Sequence, residues 1–384
     1  MRCDRGPMAR VTIVTDWWPP RVGGVESQVA DLARRLAAHG YSVHVLTTTR
    51  NPTPIGGVCV EHLPLPMAGE IAVPDLRRVR DIAAAVARSE PDIVHAHGMF
   101  SSLAIGGVMA AHRLGVPSVH TVHSLLRPWP VFVAGAALSR SLSRHASAIT
   151  AVSRATAGDV TRAAGRTPFW IPNGLDLAEW RPSARPRSHD LHIVALTRLV
   201  TKKAPHVLLN ALASTLSHVR RPVHLTIAGD GPERRRLERQ AVRLGVAPHV
   251  TFRGACSRDD VRALLAEASI FVQPGRMEAF GLAVLEARAS GVPVVAMRSG
   301  GIPELVEDGR HGLLADTEPG FARALIELCA NDARRARLAA AAPRDLERFD
   351  WACVVAAYRE VYFEAIARAQ TSGRHAKKSA AATA

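Results

Sequence analysis

The chain lacks the features that would point to a membrane-spanning, exported or disulfide-rich protein. Its five cysteines are odd in number and scattered, with no C-x-x-C pair to suggest a zinc or redox site. Its longest apolar stretch, about residues 128–139, is shorter than the ~20 residues that a membrane helix needs. The N-terminus has no apolar signal-peptide core, and residues 1–7 before Met8 read as a start-site extension. We therefore expect a cytoplasmic protein.

Aromatic residues are also scarce, at 5%, although the net charge is +15. Such a charge suits nucleic acid, an anionic membrane surface or an anionic small molecule. Without a run of five basic residues or many aromatics, a platform for single-stranded nucleic acid is poorly supported. Residues 1–187 contain 21 arginines, no lysine and 13 acidic residues, a net +8. A basic nucleic-acid-binding protein remains an alternative, and it predicts salt-dependent retention on duplex DNA.

With 384 residues, 47% of them hydrophobic, the chain has room for two or three folded domains. Short β-rich runs alternate with helical patterns over residues 11–152, where one helix covers about 131–145, and again over 192–296. This alternation predicts two doubly wound parallel sheets. The proline-rich segment 181–189 between them is typical of a linker. Ligands of such sheets bind at the carboxyl ends of the strands, so we expect a ligand cleft between the domains.

These patterns divide the chain into four parts. We place the first domain at residues 1–187 and the second at 188–348. A C-terminal helix at 349–370 is expected to pack back toward the first domain. The small, polar and basic residues 371–384 are expected to be a disordered tail.

Loops after predicted strands carry residues of the types that can bind a phosphate. Gly23 and Gly24 precede a helix whose free N–H groups can meet a phosphate, although a turn needed only for the fold explains them equally well. Arg198 and Lys203 follow the first strand of the second domain. A guanidinium and an ammonium there can clamp a diphosphate, unless they belong to a solvated loop.

Two glutamates, Glu278 and Glu286, flank the start of a helix that follows a buried strand. Gly281 between them lets the backbone approach a ligand, and the N–H groups that follow can meet a phosphate or a sugar hydroxyl. A carboxylate accepts hydrogen bonds from vicinal hydroxyls, which favours sugars and ribose as partners. The alternative is a pair of solvent-facing carboxylates.

Four histidines cluster at the ends of two neighbouring strands of the first domain. His95 and His97 share one strand face, and His120 and His123 end the next strand. Neither cysteine nor a suitable carboxylate accompanies them, and the chain has no D-x-D motif, so we predict no metal site. They form either a polar network in the core or a group for catalysis or ligand binding.

The ordered motifs resemble glycosyltransferase family 4, the retaining nucleotide-sugar transferases of the GT-B fold. The resemblance covers almost the whole chain, and its main segments are GGVESQVADLARRLAAHGYSVHVLT (23–47), PDIVHAHG (91–98), PSVHTVH (117–123), ITAVS (149–153), IPNGLD (171–176), TRLVTKK (197–203), IAGDGPE (227–233), PGRMEAFGLAVLEARASGVPVVA (274–296) and GGIPELVEDGRHGLL (300–314). It implies an α/β protein of two Rossmann-like domains facing across a cleft, with hexosyltransferase activity.

The resemblance also implies a role for each matching residue. Gly24 lies against the donor diphosphate, whose charge Arg198 and Lys203 neutralise. Glu286 holds the hydroxyls of the ribose. Glu278, together with the backbone at Phe280 and Gly281, fixes the donor sugar, and His123 lies beside that sugar. The implied catalytic residues are His123, Glu278, Arg198 and Lys203, and the implied donor-binding residues are Gly23, Gly24, Arg198, Lys203, Phe280, Gly281, Leu282 and Glu286. Thr197 and Ala279 replace common family glycines, which leaves the assignment intact.

The family mechanism needs no cofactor and no metal. The donor is a UDP- or GDP-sugar, with UDP-N-acetylglucosamine preferred, and the acceptor hydroxyl attacks on the face that the diphosphate leaves. The SDFF-like opening before GGVES is similar to that of phosphatidylinositol and inositol glycosyltransferases, which implies a lipid, inositol or glycan acceptor.

Residues 123–133 with Arg140 and Arg144 would then contact the inner membrane surface peripherally, unless they are an ordinary helix entry. A nucleotide-sugar epimerase of the same architecture is the alternative enzyme.

Overall fold

The computed structural model describes residues 8–65, 67–68, 71–72, 79–98, 101–126, 144–182 and 190–382. The chain divides into two compact units, Met1–Gly174 with Trp351–Ala384, and Leu175–Asp350. Each unit has a parallel sheet and buried core of its own. The predicted start-site extension, nearly all of the predicted helix at 131–145 and most of the predicted linker lie outside the described residues.

The first unit contains a parallel sheet of seven described strands and a short antiparallel hairpin. In chain order the strands are β1 (Arg10–Thr15), β2 (Ser42–Thr47), β3 (Val58–His62), the hairpin strands β4 (Met67–Ala68) and β5 (Ile71–Ala72), β6 (Ile93–His97), β7 (Ser118–Val122), β8 (Ala148–Ala151) and β9 (Phe169–Trp170). The order across the sheet is β3-β2-β1-β6-β7-β8-β9. The direction of chain progression reverses between β1 and β6, the kind of switch point at which such sheets bind ligands.

The second unit contains a parallel sheet of six described strands. They are β10 (Leu191–Leu196), β11 (Val223–Ala228), β12 (Val250–Gly254), β13 (Ile270–Gln273), β14 (Val294–Met297) and β15 (Gly312–Ala315). Their order is β12-β11-β10-β13-β14-β15, which places the switch point between β10 and β13. The apolar strand faces are covered by helices, as a buried parallel sheet requires.

Helices alternate with these strands along the chain. The described α-helices are α1 (Gly24–Ala38), α2 (Val79–Arg88), α3 (Ser102–Leu114), α4 (Arg154–Ala164), α5 (His206–His218), α6 (Arg234–Arg243), α7 (Arg258–Glu267), α8 (Leu282–Ala289), α9 (Ile302–Leu305), α10 (Glu318–Ala330), α11 (Asp332–Ala341) and α12 (Trp351–Ala382). The predicted α/β class with two Rossmann-like sheets is confirmed. Among the described helices, none is both long and apolar enough to cross a membrane.

Capping side chains explain where several helices begin and end. Helix α3 begins after Ser101, whose hydroxyl accepts a hydrogen bond from the Ala104 N–H, and it ends at Gly115 with φ 69°. Helix α7 begins with a reciprocal capping box between Ser257 and Asp260. These local signals are readable in the sequence because serine and glycine stand at the boundaries.

The last helix, α12, belongs to the first unit. Trp351, Tyr358 and Tyr362 are buried in a cluster that also contains residues of α1, β1 and β2. Helix α12 continues through Ala382, and the disordered tail expected at residues 371–384 stays a prediction.

The change of unit lies earlier than the predicted boundary after residue 187. The second unit already begins at Leu175. Trp180 is buried with the guanidinium of Arg258 5.9 Å above its ring, and Glu179 pairs with Arg262 at 3.2 Å. These contacts hold the segment on the second unit before the proline-rich stretch begins, which composition alone does not reveal.

Candidate functional site

The predicted residues of the second unit gather at the switch point of its sheet. Arg198 and Lys203 follow β10, and Glu278 follows β13, the strand paired with β10. Because the strands are parallel, both loops leave the same edge of the sheet. The structure therefore places these three residues in the region where an α/β sheet binds its ligand.

Lys203 and Glu278 form an ion pair at this edge. The Lys203 Nζ atom donates to Glu278 Oε2 at 2.5 Å, and the two side chains are only 17% and 15% exposed. The Gln273 amide lies 3.5 Å from the same oxygen, while its Oε1 atom accepts from the Gly275 N–H at 3.3 Å. The carboxylate is thus held between a cation and an amide. Sequence reasoning missed Gln273, although a polar residue ending a buried strand is a usable signal.

The loop from Glu278 leads into the N-terminus of α8. Gly281 caps this helix with φ 102°, and a Cβ atom there would lie 2.6 Å from Ile302 Cδ1. The N–H of Gly301 donates to the Glu278 carbonyl oxygen at 2.9 Å. Phe280 is buried edge-on against Phe349, with ring centroids 5.9 Å apart, and Leu282 is the first helical residue. The loop backbone is therefore fixed where its N–H groups begin the helix.

Glu286 lies on α8, further along the helix that starts at this loop. Burial raises the pKa of its carboxyl to about 8, although the positive charge of Arg258 lowers it. No described residue forms a hydrogen bond with its side chain. A carboxyl in this setting can accept hydrogen bonds from two neighbouring hydroxyls.

The Arg198 loop packs against a glycine turn that sequence reasoning left without a role. Arg198 itself is exposed, and the N–H of the next residue, Leu199, donates to the Asp230 carbonyl at 2.9 Å. Gly229 has φ 131°, and a Cβ atom there would overlap the Thr197 carbonyl oxygen. The G-x-G pattern at the end of a predicted strand was the available signal, since only glycine permits this backbone contact.

The glycines of the first unit lie at the start of α1, which follows β1. Gly23 is the extended N-cap and Gly24 the first helical residue. Glu26 lies in the first turn, and its carboxylate folds back so that a Cβ atom at Gly23 would overlap it. A negative charge stabilises a helix N-terminus. The chain thus places its own carboxylate in the region where the sequence predicts a phosphate.

The four predicted histidines of the first unit come together beside its switch point. His97 ends β6 in register with Thr15 of β1. The rings of His95 and His97 lie 4.0 Å apart, which confirms their shared face. Nδ1 of His97 lies 2.9 Å from Nε2 of His123, and His120 Nε2 donates to the Gly98 carbonyl at 2.9 Å.

Burial keeps this histidine cluster uncharged at neutral pH. Desolvation lowers the pKa of all four rings, and it lowers that of His123 to about 3. No group of three or more described His, Cys, Asp or Glu side chains has an arrangement that could hold a metal ion. His97 and His123 border a small open pocket together with Asn173, Trp351 and Tyr358. The cluster therefore offers neutral hydrogen-bonding groups.

The predicted membrane-contacting stretch lies mostly outside the described residues. Residues 127–133 and Arg140 are not described, and Arg144 is exposed. This part of the prediction stays an expectation.

Two family profiles together cover most of the chain. The profile described as Glycosyltransferase Family 4 matches residues 22–179, and that described as Glycosyl transferases group 1 matches residues 176–345. The two matches meet near residue 176, close to the point where the second unit begins.

The chain is also similar to whole proteins of known name. It is 31% identical to a phosphatidylinositol N-acetylglucosaminyltransferase subunit of Arabidopsis thaliana, with 82% of this chain and 72% of that protein covered. It is 30% identical to D-inositol 3-phosphate glycosyltransferase of Streptomyces bingchenggensis, with 90% and 85% covered. The crystal structure of Anabaena Alr3699/HepE in complex with UDP and glucose has the same fold, with TM-score 0.77, 23% identity, and 93% and 100% covered.

Proposed function

The chain belongs to glycosyltransferase family 4, and from this premise we propose that it transfers N-acetylglucosamine from UDP-N-acetylglucosamine to an inositol-type acceptor with retention of configuration. Hexosyl transfer itself follows from the family. The names of two relatives support the donor and acceptor, since one is an N-acetylglucosaminyltransferase and both act on inositol-containing acceptors by name.

The single observation that carries the proposal is the Lys203–Glu278 pair beside the start of α8. A diphosphate needs cations and N–H donors, whereas a sugar needs a carboxylate that accepts hydrogen bonds from its hydroxyls. The second unit offers all three within one loop cluster. We assign Lys203 and Arg198 to the diphosphate, Glu278 to the sugar, and the backbone from Phe280 to Leu282 to either.

Glu286 is assigned to the ribose of the donor. It lies on the helix that begins at the diphosphate-binding loop, and its carboxyl has no described hydrogen-bond partner. For Gly23 and Gly24 of the first unit, a role toward the diphosphate is supported by the family motif and by their place at the start of α1. These assignments rest on the geometry within each unit and on the family motifs.

The reaction requires no nucleophile from the protein. The acceptor oxygen forms a bond to the anomeric carbon on the face from which the diphosphate oxygen departs, and that departing oxygen takes the acceptor's proton. Lys203 and Arg198 stabilise the negative charge that grows on the leaving group, because they are already in place before the reaction. His123, which is neutral, contributes a hydrogen bond rather than a charge.

The acceptor is assigned to the first unit because of its charge. Residues 1–174 and 351–384, which form this unit, contain 23 arginines and lysines and 13 acidic residues, and their net charge of +10 favours an anionic acceptor such as an inositol phosphate or a phosphoinositide headgroup. With a lipid acceptor, the protein would bind peripherally to the cytoplasmic face of the membrane.

The proposal is tested with purified full-length chain. UDP-N-acetylglucosamine, UDP-glucose and GDP-mannose are each offered with inositol 3-phosphate or with vesicles that contain phosphatidylinositol. We expect transfer from UDP-N-acetylglucosamine, and an α-anomeric product by NMR coupling constants. Conversion of the UDP-sugar without an acceptor would favour the epimerase instead, and an inverted product would overturn retention.

A further inference from the structure

The hydrogen bond between His97 and His123 constrains where each ring carries its proton. Nδ1 of His97 and Nε2 of His123 are 2.9 Å apart. Burial lowers the pKa of both rings far enough that each carries a single proton at neutral pH. One ring must therefore donate while the other accepts. Two arrangements are available, and they give His123 opposite tautomers.

The surroundings of His97 favour one arrangement. If His123 donated from Nε2, then His97 would carry its proton on its own Nε2, which is buried and has no hydrogen-bond partner among the described residues. A buried, unpaired N–H group is rare in proteins because it loses its hydrogen bond to water and gains none in return. If His97 donates from Nδ1 instead, its N–H is satisfied and only an acceptor lone pair is left.

We propose that His97 is a positioning residue that donates its Nδ1–H to His123 and so holds His123 in the tautomer with its proton on Nδ1. In this form, His123 offers the substrate an N–H donor for a hydroxyl oxygen and keeps no free basic nitrogen. The substrate contact rests on the proposed function. The structure pairs Nδ1 of His123 with no described residue, and both rings border the same pocket.

The backbone and neighbours of His97 keep its ring in place. Gly98 has φ 105°, and the Trp17 ring packs where a side chain at position 98 would lie. The Gly98 carbonyl also accepts from His120. His95, whose ring contacts that of His97, is fixed by the Tyr362 hydroxyl and Thr121 Oγ1 at 2.6 Å each. A ring held in this way can impose a tautomer on its partner.

Three substitutions separate a tautomer role from a packing role. An asparagine amide nitrogen takes the place of Nδ1, so His97→Asn retains the donor to His123. A glutamine amide reaches the place of Nε2 instead, so His97→Gln loses the donor to His123. His97→Ala removes both ring nitrogens. We expect His97→Asn to keep most of the activity, whereas His97→Gln and His97→Ala lower kcat about tenfold with KM for the UDP-sugar unchanged. His112→Asn, exposed in the same unit, is the matched control.

The tautomer is read directly from ¹⁵N-histidine spectra of the full-length protein, with the His123 signals assigned from a His123→Asn variant. A proton on Nδ1 of His123 in the wild type and in His97→Asn supports the proposal. A proton on Nε2, or equal activity of His97→Asn and His97→Gln, overturns it. The spectrum requires no turnover. A wild-type protein that transfers no sugar would therefore refute the proposed function, while the spectrum would still decide the tautomer.

Discussion

The Nζ atom of Lys203 lies 2.5 Å from Oε2 of Glu278, although 75 positions of the chain separate the two residues. Both side chains are mostly buried, so neither can be removed without leaving a partly desolvated charge. In the proposed reaction the same two groups meet the diphosphate and the sugar. Their pairing before substrate binds keeps both in position and partly neutralises each.

We expect Lys203→Ala to lower kcat/KM at least about 10²-fold, because a preplaced cation stabilises the leaving group. Loss of the Lys203 ammonium should also reduce the free energy of unfolding by about 1–3 kcal/mol. This range lies between the contributions of exposed and of buried ion pairs. Initial rates and urea unfolding measure the two effects. Arg236→Ala removes an exposed pair with Glu233 in the same unit and serves as control. Near-wild-type turnover of Lys203→Ala would contradict the assigned role.

The sequence predicted the edge at which Lys203 and Glu278 lie but not their contact. Alternating patterns located β10 and β13, whereas the contact depends on these strands being neighbours at the switch point. Short strands such as β3 and β15 escaped prediction because four or five residues carry little periodicity. Gln273 contacts Glu278 and Gly275 in the loop that follows its own strand, so its position at the end of β13 was a signal that the sequence offered.

The Glu286 carboxyl predicts a pH dependence of donor binding. Its pKa is raised to about 8, yet it accepts hydrogen bonds from ribose best when ionised. UDP binding should therefore strengthen as pH rises from 7 to 9 and should release a proton below pH 8. Calorimetry in buffers of different ionisation enthalpy measures that release. The Glu286→Gln variant should release no proton, and identical release from both proteins would refute the role.

The same carboxyl affects stability with a definite sign. Because its folded pKa of about 8 lies above the ordinary 4.5, the folded state binds the extra proton between these values. Its contribution to the free energy of unfolding is thus full below pH 4.5 and is lost as pH rises through 8, by at most about 1.4 kcal/mol per pH unit. The difference between wild type and Glu286→Gln isolates this contribution. A difference that does not change with pH would contradict it.

The buried histidines of the first unit predict the opposite dependence. Burial lowers the pKa of His95, His97, His120 and His123 below the ordinary 6.5, so the unfolded chain binds more protons in acid. Their contribution is present above pH 6.5 and is lost as pH falls, by up to about 1.4 kcal/mol per ring and pH unit. Hydrogen exchange of β6 and β7 amides at pH 7.5 and 5.5 localises the effect. The His97→Asn variant should show a smaller change of the free energy of unfolding with pH. Equal protection of these amides at pH 7.5 and 5.5 would refute the predicted pH dependence.

Gly229 connects the strand core to the loop that carries Arg198, and its substitution tests that connection. A Cβ atom there would overlap the Thr197 carbonyl oxygen in a backbone with φ 131°, so Gly229→Ala must displace the loop. Gly245 also has positive φ, 69°, but a Cβ atom there meets nothing within 4 Å. Gly245→Ala should therefore cost only the backbone strain of about 1–2 kcal/mol and leave turnover unchanged. Gly229→Ala should cost more and also weaken UDP binding, because Arg198 moves with Thr197. Thermal unfolding and calorimetric titration with UDP measure the two effects. Equal UDP affinity in the two variants would show that the glycine serves only the fold.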